Sequence, residues 1–587
     1  MIETVKKTFM LLSAIAFMAS CDDKQPQDTG DGGSWGSGIA EGYEKVEILY
    51  DRNVILRNPM SGWVIYVPLI EDVDKFWENY DNFPYNKSLD PFDVSSEQTV
   101  SVFDFGNVLY LRGSWTDFNP EEGVYIWQDG VDTPQARSLR ALEEGAAERG
   151  LKVAITLKVD SRDANAFCTP DFVKRKMDAA YGLQAGGTEA DPASGRGYFK
   201  FTLGSVGHER EYWSPYPDDD IFQEEYAKFI NALAEEYNDP ERTMFVSGLG
   251  LGKWGEYHTC IYSTGDESPR EAVFDWVTDV YSKAFTKVPV VTNFHKFVGC
   301  TISEGTAQSE PERCALSEKM LANAISKGFC MRHDAFGMRA DTFGYASWEK
   351  SFISKYIYQI PVIGEGGWIV TQGGYDENGK PKNYLTQYSD ARDLREGEYE
   401  DMSSAYVNMM DLRFDESYVR GETWSWFNDA YDLVLEFLRE GCYRVYPYQV
   451  TVPVKMVNGQ EYTIDHGWKN RGKAYCPTNI PQYQDRFKVA FALLNTETGE
   501  IVGDNIFFDE TADPSEWTED GGPVGYSLKV TPENVPAGYY NIGVAIIDMF
   551  AGDPATGDYR PGIQLSAQNE TTATGWLKVK KIAVTDK

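Results

Sequence analysis

Two glutamates in the chain follow apolar runs at places where a carboxyl group could do chemistry. Glu256 lies in "GLGLGKWGEYHT", among glycines and aromatic residues, and Glu365 lies in "VIGEGGW". One carboxyl group can protonate a leaving oxygen and then deprotonate water, while a second attacks the anomeric carbon, if the two are about 5 Å apart. A hydrophobic wall from Trp254 or Tyr257 would hold the proton on Glu256 near neutral pH. The pair therefore predicts retaining glycoside hydrolysis, provided that the fold brings both glutamates together.

Other polar and aromatic side chains follow apolar runs in the same way. A single strand-end carboxylate or histidine is usually solvated, ion-paired or structural, but the whole set together indicates a site. We predict substrate contacts from Arg112, Trp115, Trp254, His258, Asn293, His295, Arg332, Asp334, Trp368 and Trp424. Arg112 is either a direct substrate ligand or a partner of Glu365, and both roles would keep Glu365 ionised.

Eight short apolar runs, separated by loops and helical patterns, must position these residues. Continuous rather than alternating apolarity indicates strands buried on both faces, as in a parallel sheet covered by helices. Helical patterns at 219–237 and 268–285 lie between runs, and eight such units predict a (β/α)₈ barrel with its site at the C-terminal strand ends. The runs are 62–69, 107–115, 152–159, 244–257, 288–294, 328–336, 360–368 and, as the eighth strand, "GETWSWF" at 421–427.

The texture of the sequence changes after about residue 446. Short alternating or apolar segments then follow one another between Gly, Pro, Asn and Asp turns, which is typical of a β-sandwich. We therefore predict an α/β barrel at 44–446 and an accessory β-sandwich at 447–587. The sandwich segment shows no cluster of acid, base and nucleophile candidates, and we expect a rigid support for the barrel.

The overall charge bears on partners. The chain of 587 residues has 55 Lys and Arg against 91 Asp and Glu, a formal net charge of −36. Such a field repels phosphate backbones and anionic lipid headgroups, so nucleic acid is not an expected partner. The 15 Trp and 36 Tyr suit flat sugar faces, although they serve equally as core. A poly- or oligosaccharide and other glycan-utilisation proteins are the expected partners.

The first twenty residues predict an export signal. Lys6 and Lys7 precede an apolar stretch that is too short for a permanent membrane span, and small residues then lead to Cys21 in "MASC". The segment resembles a bacterial lipoprotein signal with lipidation at Cys21, and its acidic continuation resembles surface lipoproteins of Bacteroidetes. We predict a signal peptide at 1–20, a flexible tether at 21–43, and an outer-membrane lipoprotein on the periplasmic or cell-surface side.

Cysteines and histidines give a weak metal signal. Besides Cys21 there are seven cysteines without CxxC spacing, so they cannot all pair, and most are expected to be small buried hydrophobic residues. A metal-dependent hydrolase would have to use His258, His295, His333 and Asp334. With five histidines in the chain and no HxH pair on strand one, we predict neither a metal nor a cofactor.

Several segments resemble glycoside hydrolases of clan A. "VLYLRGSWTDFNPEEGVYIW" is similar to the strand-two segment of the family 42 β-galactosidases, in which an Arg supports the nucleophile. "KWGEYH" and "VIGEGG" resemble the clan's acid/base and nucleophile segments, and "TWSWF" its strand-eight Trp. The chain from "NPMSGW" to "WKNRGKAYC" also resembles bacterial proteins with domain of unknown function 4832, a β-sandwich behind a barrel. The resemblance implies Glu256 as acid/base and Glu365 as nucleophile.

One position departs from the clan pattern. Clan A enzymes carry an Asn directly before the acid/base, where it binds the sugar 2-hydroxyl, whereas this chain has Gly255. The hydrogen bond that strengthens in the transition state would be missing, or it would come from Asn293, His258 or His295. Two hypotheses remain open: a lipid-anchored glycoside hydrolase, and a glycan-binding lipoprotein on a barrel that has lost catalysis.

Overall fold

Eight parallel strands close into a barrel, which confirms the predicted fold class. The computed structural model describes residues 39–90, 99–161, 167–182, 197–204, 208–338, 344–367, 388–414 and 421–586. Each barrel strand pairs with its neighbours in chain order, and the first pairs with the eighth. Barrel strands one to eight are Gly62–Pro68, Gly106–Ser114, Lys152–Lys158, Thr243–Ser247, Val290–Asn293, Phe329–Phe336, Val362–Gly366 and Met409–Arg413.

Helices cover the outside of the barrel and explain why its strands are apolar throughout. The predicted helices at 219–237 and 268–285 are present as Asp220–Tyr237 and Arg270–Ala284. Asp219 begins the former because its carboxylate accepts hydrogen bonds from the backbone N–H groups of Ile221 and Phe222. The other described α-helices are Val73–Asp81, Trp115–Phe118, Pro134–Glu148, Asp171–Ala180, Pro311–Ser326, Ser347–Ile353, Ala391–Ser404, Glu422–Asp429 and Tyr431–Glu436.

The predicted position of strand eight was wrong. Strand eight is Met409–Arg413, and the predicted segment 421–427 instead forms most of the helix Glu422–Asp429. Trp426 and Phe427 of that helix are buried against the outer core, so the aromatic run satisfies a helix face rather than a strand. Trp424 therefore does not end a barrel strand.

A second core fills the barrel and continues into the C-terminal domain. Met60, Met244, Cys330 and Met409, near the N-terminal ends of barrel strands, belong to the same buried cluster as Trp468 and other residues of the C-terminal domain. The C-terminal domain thus closes the N-terminal end of the barrel, and the predicted site residues lie at the opposite end.

The C-terminal domain consists of two main sheets, as predicted. Tyr43–Glu47 pairs with Val445–Pro453, so this early segment belongs to the C-terminal domain's first sheet, and the barrel strands begin only at Gly62. The first sheet has the order Tyr43–Glu47, Val445–Pro453, Tyr462–Asn470, Val524–Val530. The second has the order Lys455–Val457, Leu577–Thr585, Gly538–Asp553, Phe487–Asn495, Ile501–Asp509, with Asp558–Ile563 beside Gly538–Asp553. Two short antiparallel hairpins lie in barrel loops, Phe83–Pro84 with Thr99–Val100 and Tyr198–Gly204 with His208–Ser214.

The structure bears on the cysteine predictions but not on the predicted lipid anchor. Cys21, the predicted signal peptide and residues 21–38 of the predicted tether lie outside the described residues. In the part that is described, no helix has both the length and the apolar character of a membrane span. All seven cysteines after Cys21 are unpaired and buried, which confirms them as small hydrophobic residues.

Candidate functional site

The loop after barrel strand four holds Glu256 by an unusual backbone. The strand ends at Ser247, well before the predicted residue 257, and the glycines turn the chain instead of letting a strand pack closely. Positive φ values occur at Gly248, Gly250, Gly252, Trp254, Gly255, Tyr257 and Thr259. Three of these residues are not glycine, and left-handed backbone at such residues is costly and concentrates at functional sites.

Gly255 has no room for a side chain. Its φ is 80°, and a Cβ on it would overlap with the backbone carbonyl oxygen of Leu157 at the end of barrel strand three. An Asn at this position, as in clan A enzymes, would require the loop to move. The departure from the clan pattern is therefore built into the path of the backbone.

Glu256 is buried, and its surroundings favour the protonated acid. Its exposed fraction is 6%, and Nε2 of His258 lies 3.3 Å from its Oε2. Burial raises the pKa of Glu256 well above its usual value, and the charge of Asp334 and a hydrogen bond to that carboxylate raise it further. Burial also raises the pKa of Asp334, but the hydrogen bond from Glu256 and the charge of Arg332 outweigh this effect and lower it overall. The shared proton is thus held on Glu256.

Glu365 has the opposite electrostatic environment. It is 1% exposed, and Arg332 on barrel strand six approaches it with two nitrogens, Nε at 2.7 Å from Oε1 and Nη2 at 2.5 Å from Oε2. Arg413 on strand eight places Nη2 3.2 Å from Oε2. Burial raises the pKa of Glu365, but the charges of Arg332 and Arg413 outweigh burial and lower it below its usual value. Glu365 is therefore ionised at neutral pH.

Arg332 connects the two glutamates. The same Nη2 that lies 2.5 Å from Oε2 of Glu365 lies 3.8 Å from Oε1 of Glu256. Those two carboxyl oxygens can therefore be no farther apart than the two distances combined. Nη1 of Arg332 donates to Oδ1 of Asn293 at 2.8 Å, which fixes the Asn293 amide with its Nδ2 buried and without a hydrogen-bond partner in the described structure.

Two residues of strand eight belong to the site but were missed from the sequence. Asp411 accepts from the backbone N–H of Gly366 at 2.9 Å and from Nε of Arg413 at 3.3 Å. Arg413 is thereby held against Glu365 and also donates to the carbonyl of Gly366. The signal that could have found them is "NMMDLRF", a short apolar run ending in polar residues like the other barrel strands.

Arg112 lies in the site without contacting Glu365. Its Nη1 donates to the hydroxyl of Tyr66, a residue missed from the sequence, and its Nη2 donates to the carbonyl oxygen of Trp254 at 2.7 Å. It adds only its charge to the effects that lower the pKa of Glu365. The nucleophile-supporting role predicted for Arg112 is filled instead by Arg332 and Arg413.

The histidines do not gather as metal ligands. Nε2 of His295 donates to the carbonyl oxygen of Glu256 while its Nδ1 accepts from Phe297, and burial lowers the pKa of His295 to about 3, so it is neutral. His333 packs among Phe294 and other aromatic rings of the outer core. Within the described ranges, no group of three or more His, Cys, Asp or Glu side chains could hold a metal ion.

The predicted tryptophans divide into three cases. Trp254 is 41% exposed and stands edge-to-face with His258, so it can offer a ring to a ligand. Trp115 is fully buried, with its indole N–H donating to Asn119, which places it in the core rather than in the site. Trp424 lies half-buried on the helix after strand eight, and Trp368 lies outside the described residues.

The arrangement has a clear chemical capability. One carboxylic acid and one carboxylate face the same end of a closed barrel, with an arginine contacting both. A pair of titratable groups whose surroundings push their pKa values apart can supply a proton donor and an anionic nucleophile.

Neither a protein-family model nor a curated protein sequence matches the chain. Several similar solved structures are glycoside hydrolases. An endo-β-1,4-mannanase from Thermotoga petrophila has a TM-score of 0.33 and 12% identity over 82% of this chain and 91% of its own. Endo-glycoceramidase II from Rhodococcus sp. has a TM-score of 0.33 and 12% identity over 80% and 97%. Morphinone reductase has a TM-score of 0.30 and 13% identity over 60% and 82%. Similarity at this level does not separate a glycosidase from a reductase, and the resemblances to family 42 and to domain of unknown function 4832 stay predictions.

Proposed function

We propose that the protein is a lipid-anchored glycoside hydrolase of the bacterial cell envelope that cleaves poly- or oligosaccharides by a retaining mechanism. The observation that carries the proposal is that two buried glutamates lie close together with opposite surroundings, which raise the pKa of Glu256 and lower the pKa of Glu365. The two Arg332 contacts limit their nearest oxygens to a separation below the roughly 6.5–9.5 Å of inverting enzymes and compatible with the roughly 5–5.5 Å of retaining ones.

Each glutamate has one role in this mechanism. Glu365 attacks the anomeric carbon as a carboxylate, while Glu256 gives its proton to the leaving oxygen. Glu256, now ionised, then deprotonates the water that releases the covalent glycosyl ester. Asp334 orients the proton on Glu256, and Arg332 and Arg413 keep Glu365 anionic between turnovers.

We propose that Asn293 donates the hydrogen bond to the sugar that clan A enzymes obtain from an Asn at the position of Gly255. Its amide is oriented by Arg332, and its Nδ2 is a buried donor without a partner in the described structure. A buried unpaired donor costs about 1–3 kcal/mol, and a sugar hydroxyl would satisfy it. The 2-hydroxyl of the reacting sugar fits this role.

A glycan-binding protein without catalysis is the second candidate. The position of Arg332 favours this candidate. Its guanidinium contacts both glutamates and so lies close to where the anomeric carbon would have to react. In that case Trp254 and the arginines would hold sugar, and neither glutamate would turn it over.

The test is a comparison of Glu365→Gln and Glu256→Ala on aryl glycosides and a polysaccharide panel. Loss of the nucleophile should abolish turnover on every substrate. Loss of the acid/base should cost about 10² to 10⁴ on natural linkages and less on activated aryl glycosides. Azide should rescue Glu256→Ala and yield a glycosyl azide of retained configuration, because azide needs no general base.

Glu225→Gln is the matched control, since Glu225 is a buried glutamate on an outer helix, paired with Lys228. It should leave turnover unchanged. If Glu365→Gln and Glu256→Ala also leave turnover unchanged, the two glutamates are not the catalytic pair. If no variant and no wild-type protein turns over any glycan while sugar binding persists, the second candidate replaces the first.

The envelope anchor rests on the segment that ends at Cys21. Cys21→Ala should prevent lipidation and release the protein from membranes into the soluble fraction, measured by fractionation and mass of the N-terminal peptide. Cys168→Ala, which removes a buried cysteine of the folded part, is the control and should leave fractionation unchanged. Unchanged membrane association of Cys21→Ala would contradict the anchor.

A further inference from the structure

Arg112 and Lys158 are two half-buried cations at the end of the barrel that holds the glutamates. Barrel strands two and three lie side by side, with Ser114 opposite Lys158. Tyr110 and Ala154 of the same strands belong to the core inside the barrel. Because alternate residues of a strand face the same side, Arg112 and Lys158 also face the barrel interior, at its substrate end.

Neither cation has a carboxylate at ion-pair distance within the described part of the chain, although Arg112 feels the charges of Glu256 and Glu365 from farther away. The guanidinium of Arg112 donates to two neutral oxygens, the hydroxyl of Tyr66 and the carbonyl of Trp254. Burial lowers the pKa of Lys158, and the positive charge of Arg112 lowers it further, so the two cations repel each other. Asp117 is the last-ranked of the groups that act on the pKa of Lys158, and its carboxylate accepts hydrogen bonds from the N–H and hydroxyl of Ser114 rather than from Lys158.

The other two arginines of the site, Arg332 and Arg413, are paired with carboxylates. Arg332 is paired with Glu365, and Arg413 is paired with both Glu365 and Asp411. Buried or half-buried charge is normally paired, because removing a cation from water without a partner is costly. Arg112 and Lys158 therefore differ from Arg332 and Arg413 in having no ion-pair partner among the described residues.

We propose that Arg112 and Lys158 form a subsite for an anionic substituent of the substrate, the carboxylate of a uronic acid or a sulfate ester. The inference rests on the proposed function and deepens it, since it makes the substrate an acidic glycan. Trp254 lies beside this subsite, because its carbonyl accepts from Arg112, and its exposed ring can stack on the same sugar.

The acidic character of the whole chain does not oppose this subsite. The formal net charge of −36 is spread over the molecule, and solvent-exposed charges farther than about 8 Å are largely screened at physiological ionic strength. A carboxylate or sulfate that enters the barrel end meets Arg112 and Lys158 within that distance. The local cations therefore select an anionic sugar that the outer surface would not attract.

The test uses pairs of glycans that differ only in charge. Uronic-acid oligosaccharides are compared with their methyl esters, and sulfated galacto-oligosaccharides with their desulfated forms, by calorimetric binding to the soluble protein and by product release. We expect wild type to prefer the charged member of one pair by tenfold or more, since hydrogen bonds to charged groups are worth more than neutral ones. The pair that shows the preference distinguishes carboxylate from sulfate.

Variants of Lys158 isolate the subsite from the catalytic glutamates. Lys158→Gln should remove most of the charge preference and its salt dependence, while Lys158→Arg should retain both. Lys152→Gln, at the opposite end of the same strand, is the matched control and should retain the preference. Folding of each variant is checked by its thermal unfolding.

The outcomes separate this inference from the proposed function. Cleavage of neutral glycans without a charge preference, or a preference unaffected by Lys158→Gln, would overturn the subsite and leave the hydrolase. Charge-dependent binding that requires Lys158, without cleavage, would support the subsite and overturn the hydrolase. If no glycan of either kind binds, both are overturned.

Discussion

Three arginines surround Glu365, and they act on it in different ways. Arg332 makes two contacts and also approaches Glu256, whereas Arg413 makes one contact and is itself held by Asp411. Arg112 acts only through its charge. Because Arg413 does not contact Glu256, it can be removed with less disturbance of the acid/base than Arg332. It is therefore the better probe of how the protein keeps Glu365 ionised.

We expect Arg413→Met to change the pH dependence of turnover in a defined direction. Glu365 reacts as a carboxylate, so its pKa sets the acidic limb of the kcat/KM profile. Loss of a neighbouring cation raises a carboxyl pKa by about one unit or more, so the acidic limb should move to higher pH. The alkaline limb reflects loss of the proton on Glu256 and should move less. The measurement is kcat/KM against pH with an activated aryl glycoside.

Arg413→Lys is the matched variant for this prediction. It keeps a positive charge near Glu365 and should leave the acidic limb closer to that of the wild type. A drop in turnover in Arg413→Met without displacement of either limb would show that Arg413 supports only the structure around strand eight.

At the scale of elements, the loop from Gly248 to Thr259 sets the position of the acid. Glycine at 255 is required twice, by its positive φ and by the nearby carbonyl of Leu157. Glycine at this position therefore lets the loop approach barrel strand three closely, where clan A enzymes carry an Asn. The donor that this Asn would supply is available across the barrel at Asn293.

Gly255→Ala should destabilise the protein and reduce turnover for two reasons. Alanine is strained at this positive φ, and its Cβ would overlap with the carbonyl oxygen of Leu157. Gly265→Ala is the matched control: Gly265 has a φ of 77°, close to that of Gly255, but nothing lies within 4 Å of its Cβ position. The control should lose only the free energy of about 1–2 kcal/mol that left-handed backbone costs a residue with a Cβ. Gly255→Ala should lose more free energy of unfolding, measured by thermal unfolding, and should also lower kcat, measured by kinetics. Equal losses in both variants would mean that the loop relaxes around Leu157.

The barrel could be predicted from the sequence, but one of its strands could not. Seven of the apolar runs overlap with barrel strands, because burial on both faces leaves a continuous apolar pattern. Strand eight, Met409–Arg413, contains Asp411 and Arg413 in five residues, so its apolar signal is weaker than that of the aromatic helix behind it. The error hid Arg413, which contacts Glu365, and Asp411, which holds Arg413 in place.

The sequence predicted which glutamate holds the proton, but only some of the side chains that cause this. Glu256, Glu365, Arg332 and Asp334 follow apolar runs, and a barrel brings such positions together. Which carboxyl keeps the proton depends on which side chains approach across the barrel, and Asp334 beside Glu256 is such a contact. Residue spacing indicated that Glu256 would be buried, but it does not show which charged groups approach each glutamate.

At the scale of the whole molecule, the two domains share one hydrophobic core. Met60, Met409 and residues of the C-terminal domain such as Trp468 belong to one buried cluster. Asn408, directly before strand eight, donates from Nδ2 to the carbonyls of both Met60 and Tyr475. Tyr43–Glu47, which precedes the barrel in sequence, completes a sheet of the C-terminal domain. The core inside the barrel is therefore completed by residues of the C-terminal domain.

Truncation before Tyr446 should consequently leave an insoluble or strongly destabilised barrel. It would expose apolar side chains at the N-terminal strand ends and leave Tyr43–Glu47 without its partner strand Val445–Pro453.

The intact protein from residue 39 should unfold in one cooperative calorimetric transition, because a shared core couples both domains. Asn408→Ala should lower the midpoint of that single transition, since it removes two buried hydrogen bonds worth about 1 kcal/mol each. Asn569→Ala, which removes an amide contact to Lys578 within the C-terminal domain alone, is the control. Two separate transitions, or a soluble and fully active barrel after truncation, would show that the barrel folds without the sandwich.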